Sequence, residues 1–113
     1  MKKNIIVEKS YHFAVEMTEV CNKLKNKKEF HLASQLMRPA TSIGANVKEA
    51  TAAQTKRDFI AKMSIASKEA REANYWINII KDSRTLEMDF TTHLSESEEI
   101  IKILTAILKT AKS

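Results

Sequence analysis

The chain has 113 residues with one glycine, one proline and one cysteine, and its 19 basic and 14 acidic side chains leave a net charge of +5. Glycine-rich phosphate loops, dinucleotide fingerprints and nucleophile elbows each need two or three glycines, so a single one excludes them. Scarce turn residues also argue against a many-stranded sheet, and 43% hydrophobic with 29% charged residues points to one all-α domain spanning residues 1–113.

The first expected helix carries Ile6, Ser10, Phe13, Met17, Val20 and Leu24 at alternating steps of four and three. Such steps keep side chains on one helix face. The polar, charged stretch Asn26-Lys27-Lys28 ends it. A second helix repeats the pattern with Ala33, Leu36, Ala40, Ile43, Val47 and Ala50. Pro39 lies inside it and removes the N–H that would bond to Gln35, and Gly44 weakens it five residues later. Together they predict a kink near Pro39 and Gly44, read either as a bend around the packing partners or as a hinge or ligand surface.

Thr55 is the expected N-cap of the third helix, with Asp58 three residues on. Its seam is Phe59, Met63, Ala66, Ala70, Ala73, Ile77 and Ile80. Residues 82–88 form the longest connection. The fourth seam is Phe90, Leu94, Ser97, Ile101, Leu104, Leu108 and Ala111. Asp89 caps that helix in the preferred reading, because the seam already includes Phe90 and Leu94. A capping box at Ser95 and Glu98 would start it later. Short links imply antiparallel neighbours, hence an up-down-up-down four-helix bundle.

These seams leave apolar residues over. Ile65, Trp76 and Ile79 fall beside the third, and Ile100, Ile103 and Ile107 beside the fourth. They are candidate subunit contacts, with a wide-seamed monomer as the alternative. Trp76 is the residue expected at or near such an interface.

Catalytic chemistry finds little support. Di-iron carboxylate bundles need Glu-x-x-His pairs. Lys9, Lys28 and Phe90 stand three residues before His12, His31 and His93, so no such pair exists. Of the Glu-x-x-Glu pairs, Glu19, Glu72, Glu96 and Glu99 are expected to face away from the core, with Glu16 and Glu69 flanking it. The histidines share no short spacing, and Cys21 reads as a small buried hydrophobe. The expectation is a protein without catalytic residues, metal or cofactor. The longest uncharged run, Pro39 to Val47, is too short to span a bilayer. Met1-Lys2-Lys3-Asn4-Ile5-Ile6-Val7-Glu8 lacks a signal-peptide core, and a lone cysteine suits a reducing compartment, so a cytoplasmic location is expected.

Basic residues form the better candidate. Lys23, Lys27 and Lys28 cluster around the first turn, Arg38 and Lys48 project from the second helix, and Lys56, Arg57 and Lys62 open the third. These eight are candidate contacts to RNA or DNA phosphates. The alternatives are solvated helix faces with pairs such as Asp58–Lys62, or an adaptor that docks a protein partner.

The run Gln35-Leu36-Met37-Arg38-Pro39-Ala40-Thr41-Ser42-Ile43-Gly44-Ala45-Asn46-Val47-Lys48-Glu49-Ala50 resembles the signature of the 23S rRNA-intervening-sequence protein family. Phe59, the stretch Met63-Ser64-Ile65-Ala66-Ser67 and Glu69 extend the likeness. Pro39, Gly44 and Ala50 depart from the family's usual Ala, Pro and Gly, and Met37 replaces the first of two arginines. The resemblance implies a small bacterial four-helix bundle forming homo-oligomers, typically pentameric rings. A similar protein accompanies the reverse transcriptase of diversity-generating retroelements and binds nucleic acid. No catalytic residues come with the family. For Arg38, in the company of Asn46 and Glu49, the reading preferred is a structural ion pair between helices or subunits.

Overall fold

The seams become four helices, and the links are as short as the antiparallel arrangement needs. A computed structural model describes residues 4–113, with α1 at Ile5–Asn26, α2 at Phe30–Thr51, α3 at Lys56–Asp82 and α4 at Thr91–Lys112. Each helix packs on the next in sequence, and α4 closes back on α1. Interhelical pairs fix the antiparallel order: Arg38 meets Glu72, Asn74 meets Ser97, and Lys9 meets Glu99. The bundle is elongated, with principal extents of 44 × 25 × 21 Å. Among the described residues no helix is long and apolar enough to cross a membrane.

The α1 and α2 seams are buried throughout, and Cys21 joins them. On α3 the buried seam runs from Met63 to Ile80, with Phe59 half-buried at its start. Burying side chains such as Leu36, Ile43 and Ile77 contributes on the order of 1.5–3 kcal/mol each. Serines within the seams stay satisfied locally. Ser10 Oγ donates to Ile6 O at 2.7 Å, and Ser97 Oγ donates to Leu94 O while accepting from Asn74 Nδ2 at 2.8 Å.

The fourth seam is rotated from its expected line. Phe90, Ser97 and Leu104 are buried, whereas Leu94, Ile101 and Leu108 are half-buried and Ile100 is buried in their place. The reason is that α4 fills the groove between two helices. One flank of its stripe faces α3 and the other, through Ile100, faces α1.

The caps follow local chemistry. Thr55 Oγ1 accepts the N–H of Asp58 at 3.0 Å, and Asp89 Oδ1 accepts that of Thr91 at 2.9 Å. α4 starts at Thr91 with Phe90 as its N-cap, so Asp89 bonds the first turn from one residue outside the cap position expected of it, and Ser95 lies within the helix. α1 and α3 end in the same way. Lys28 (φ 65°) and Arg84 (φ 57°) take the left-handed conformation. The Glu29 and Thr85 N–H groups reach back to the carbonyls of Leu24 and Ile80. Glycine usually occupies this position, but the chain's one glycine is elsewhere.

α2 runs as one 22-residue helix through Pro39 and Gly44, and no break in it marks the kink expected there. Gly44 faces α1. A Cβ added to it would lie 3.5 Å from the Ser10 carbonyl oxygen, an ordinary contact distance. This glycine is thus not required by a clash.

Candidate functional site

The eight candidate phosphate-binding residues divide among three places. Lys23, Lys27 and Lys28 are exposed where α1 ends. That end also carries Glu29, Asp82, Glu87 and Asp89, and Lys27 Nζ donates to the Thr85 carbonyl at 3.4 Å. Lys48, Lys56, Arg57 and Lys62 lie at the opposite end, where α2 stops and α3 starts. Because α4 is antiparallel to α3, Lys109 and Lys112 in its last turn lie toward the same end of the bundle, which the sequence reading missed. Two groups at opposite ends of a 44 Å bundle cannot form one patch within one chain.

At the α2/α3 end Lys48, Lys56, Arg57, Lys109 and Lys112 are exposed and have no ion-pair partner within 4.0 Å among the described residues. Lys62 differs. Its ammonium meets Glu49 Oε1 at 3.0 Å, and that hydrogen bond raises its pKa above the ordinary lysine value. The partner is Glu49 rather than Asp58.

Arg38 sits midway along α2 and reaches across to α3. It donates to Glu69 Oε2 at 3.5 Å and to Glu72 Oε2. Trp76 Nε1 donates to the same Glu72 oxygen at 3.4 Å. Glu69 is 12% exposed, so its charge needs this partner. The interhelical ion pair expected of Arg38 is present, with Glu69 and Glu72 as partners instead of Glu49. Its guanidinium is thereby engaged within the chain.

The six candidate interface residues also separate. Ile65 (41% exposed) and Ile79 (36%) lie on the outer face of α3, with half-buried Trp76 between them in the helix. Ring packing of Tyr75 against Trp76, with centroids 5.4 Å apart, extends this surface. Ile103 and Ile107 are half-buried against the core. Ile100 is 1% exposed and belongs to the bundle's own core, so it has no surface left for a partner. A further apolar groove between α1 and α2 was missed. It is lined by Val7, Tyr11, Ala14, Gly44 and Ala45, with Tyr11 71% exposed. Val7, Tyr11 and Ala14 stand at steps of four and three beside the first seam, a signal present in the sequence.

The carboxylates hold the larger surprise. Glu72 and Glu96, expected to face away, are half-buried. On the α1/α4 flank the ligand atoms of His12, Glu16 and Glu96 all lie within 4.8 Å of one another. Burial, followed by the adjoining Glu16 carboxylate, raises the Glu96 pKa to about 7. Cys21 is buried, donates to the Ala33 carbonyl at 3.5 Å and has its thiol pushed up to about 11 by desolvation.

With four helices, no strand among the described residues and charged ends, the chain belongs among small helical-bundle proteins. More particularly, the chain belongs to the 23S rRNA-intervening sequence protein family, whose model matches residues 2–106. It is similar to a crystal structure from Bacteroides thetaiotaomicron, described as a protein with unknown function from the S23 ribosomal protein family. Identity is 39%, with a TM-score of 0.88 over 92% of this chain and 98% of that one. Among individually curated proteins there is no significant match.

Proposed function

We propose that the protein is a non-enzymatic, cytoplasmic homo-oligomer that binds RNA or DNA without sequence preference, through phosphate contacts. The observation that carries this reading is the group of exposed, unpaired basic side chains at one end: Lys48, Lys56, Arg57, Lys109 and Lys112. Lysines and arginines on one surface displace counterions from a phosphate backbone. Lys23, Lys27 and Lys28 supply a second, acid-diluted contact at the other end. Assembly, with a pentamer favoured by the family resemblance, multiplies the +5 charge and turns a modest patch into a band. Ile65, Trp76 and Ile79 are the proposed subunit contacts on α3, and Ile103 and Ile107 add a smaller apolar edge.

The testing experiment is the double variant Lys56→Glu/Arg57→Glu, measured by anisotropy with labelled RNA and duplex DNA. Both residues are exposed at the start of α3, so the fold and assembly should persist. Binding should weaken, and the salt slope should drop by about 2 if each residue neutralises one phosphate. Unchanged binding removes these residues from the interface.

A second reading is an adaptor that docks a protein, and it rests on the apolar α1/α2 groove around Tyr11. A protein partner recovered from a pull-down after nuclease treatment favours it. Loss of every partner after nuclease counts against it.

A further inference from the structure

α1 and α4 share the slightest contact of the four adjacent helix pairs. A groove of about 510 Å³ opens along them, lined by Glu8, Lys9, His12, Glu96, Glu99 and Ile100. Two residues of α1 reach into this flank from consecutive turns. His12 and Glu16 are one turn apart, and His12 Nε2 lies 3.4 Å from Glu16 Oε1. Glu96 comes from α4 and completes a set whose ligand atoms lie within 4.8 Å of each other.

Three features set this group apart from a solvated charge cluster. Glu16 Oε1 is buried and makes no hydrogen bond, and its near neighbour His12 Nε2, at 3.4 Å, is a cation only when protonated. Beside a neutral imidazole a buried carboxylate oxygen is costly, and a cation held by both groups would relieve it. The nearest lysine, Lys9, is turned to Glu99 at 2.8 Å and forms no ion pair with Glu16 or Glu96. Finally, the donor set is mixed, with one imidazole and two carboxylates drawn from two helices. Zinc binds imidazole nitrogen and carboxylate oxygen at about 2.0–2.2 Å, so two donors of a tetrahedral ion stand about 3.4 Å apart. His12 and Glu16 already have that separation.

We propose that His12 Nε2 and the carboxylates of Glu16 and Glu96 form a binding site for a divalent transition-metal ion of the zinc class, which ties α1 to α4. Water from the open groove completes the coordination shell. The ion supplies the charge that two adjoining carboxylates lack, and it closes the least-packed flank of the bundle. Three ligands with an open position also describe catalytic zinc sites, but an ion that bridges α1 and α4 acts here as a structural tie. It does not depend on nucleic-acid binding by the basic end.

The test uses the full chain without a histidine tag, freed of metal by chelator, and titrated with ZnCl2 in a calorimeter. Hydrogen exchange and thermal unfolding are followed on the same samples. One zinc ion per chain, a raised Tm and slowed exchange along the facing stretches of α1 and α4 are expected. MgCl2 should do none of this at equal concentration, because magnesium prefers all-oxygen shells that retain water. Glu96→Gln and His12→Ala should each weaken zinc binding at least tenfold while keeping the helical signal. Glu96→Gln is nearly isosteric and removes a carboxylate repulsion, so its folding is not at stake. Absence of binding at millimolar zinc overturns the proposal. So does undiminished affinity in either variant, or protection that appears away from α1 and α4.

Discussion

The α2/α3 flank and the α1/α4 flank of this bundle are built on the same heptad logic and end up differently. The α2 seam carries Ala33, Ala40 and Ala50 and the α3 seam Ala66, Ala70 and Ala73, all of them buried. Small seam residues let the helices approach closely, and this pair has the most extensive contact in the molecule. Its outer edge is laced by Arg38 with Glu69 and Glu72, and by Lys62 with Glu49. The α1/α4 contact is the slightest of the adjacent pairs, Ile103 and Ile107 of α4 stay half-buried, and the Glu16 and Glu96 carboxylates adjoin with His12 Nε2 3.4 Å from Glu16. The flank with the slightest contact is thus also the one where the Glu16 and Glu96 carboxylates adjoin, while the closely packed flank has its carboxylates matched to Arg38 and Lys62.

The largest expected effect that could break this comparison comes from cavities. Leu36→Ala, in the close-packed half, should cost about 2–5 kcal/mol in denaturant unfolding. Ile107→Ala on the looser flank should cost clearly less, because its side chain is only half-buried. Equal losses would mean that the two flanks are packed alike. The next effect is electrostatic. Arg38→Ala leaves Glu69 buried without its cation and should cost about 1–3 kcal/mol, the range for stranding a buried polar group. The same variant should leave nucleic-acid affinity nearly unchanged, and a large loss of affinity would return Arg38 to the interface. A gain is expected from Gly44→Ala, of about 0.5–1 kcal/mol, since the added Cβ meets Ser10 at an ordinary distance.

The smallest effect is a dependence on pH. Glu96 has a carboxyl raised from 4.5 to about 7 in the folded chain. The folded state therefore holds this proton more tightly than the unfolded state. The stability it contributes is fully present below pH 4.5 and is lost as pH rises through about 7. In chelator, Tm should accordingly fall between pH 5 and 8 by more in the parent than in Glu96→Gln. Parallel profiles would show that Glu96 does not contribute.

The helices were legible because each seam repeats three- and four-residue steps, and the cap at Thr55 uses short-range chemistry, whereas the N-cap of α4 is Phe90 rather than Asp89. The fourth seam was misdrawn at Ile100 and Ile101, since adjacent apolar residues leave the rotation of a helix open until its two neighbours are known. The cluster of His12, Glu16 and Glu96 escaped for a similar reason. His12 and Glu16 are one turn apart in the order His-x-x-x-Glu, which a search for Glu-x-x-His passes over. Glu96 joins them only when α4 closes on α1. Likewise the basic residues were visible one by one. Their division between two ends, and the arrival of Lys109 and Lys112 at the end that holds Lys56 and Arg57, depend on the antiparallel topology.

The central claim is that the end bearing Lys48, Lys56, Arg57, Lys109 and Lys112 meets phosphates. Anisotropy of a labelled structured RNA and a matched duplex DNA across a salt series tests it most directly. A steep log–log dependence is expected, with a slope of several units and similar affinity for different sequences. Absence of binding at low salt would contradict it and leave the basic end as a solubility feature.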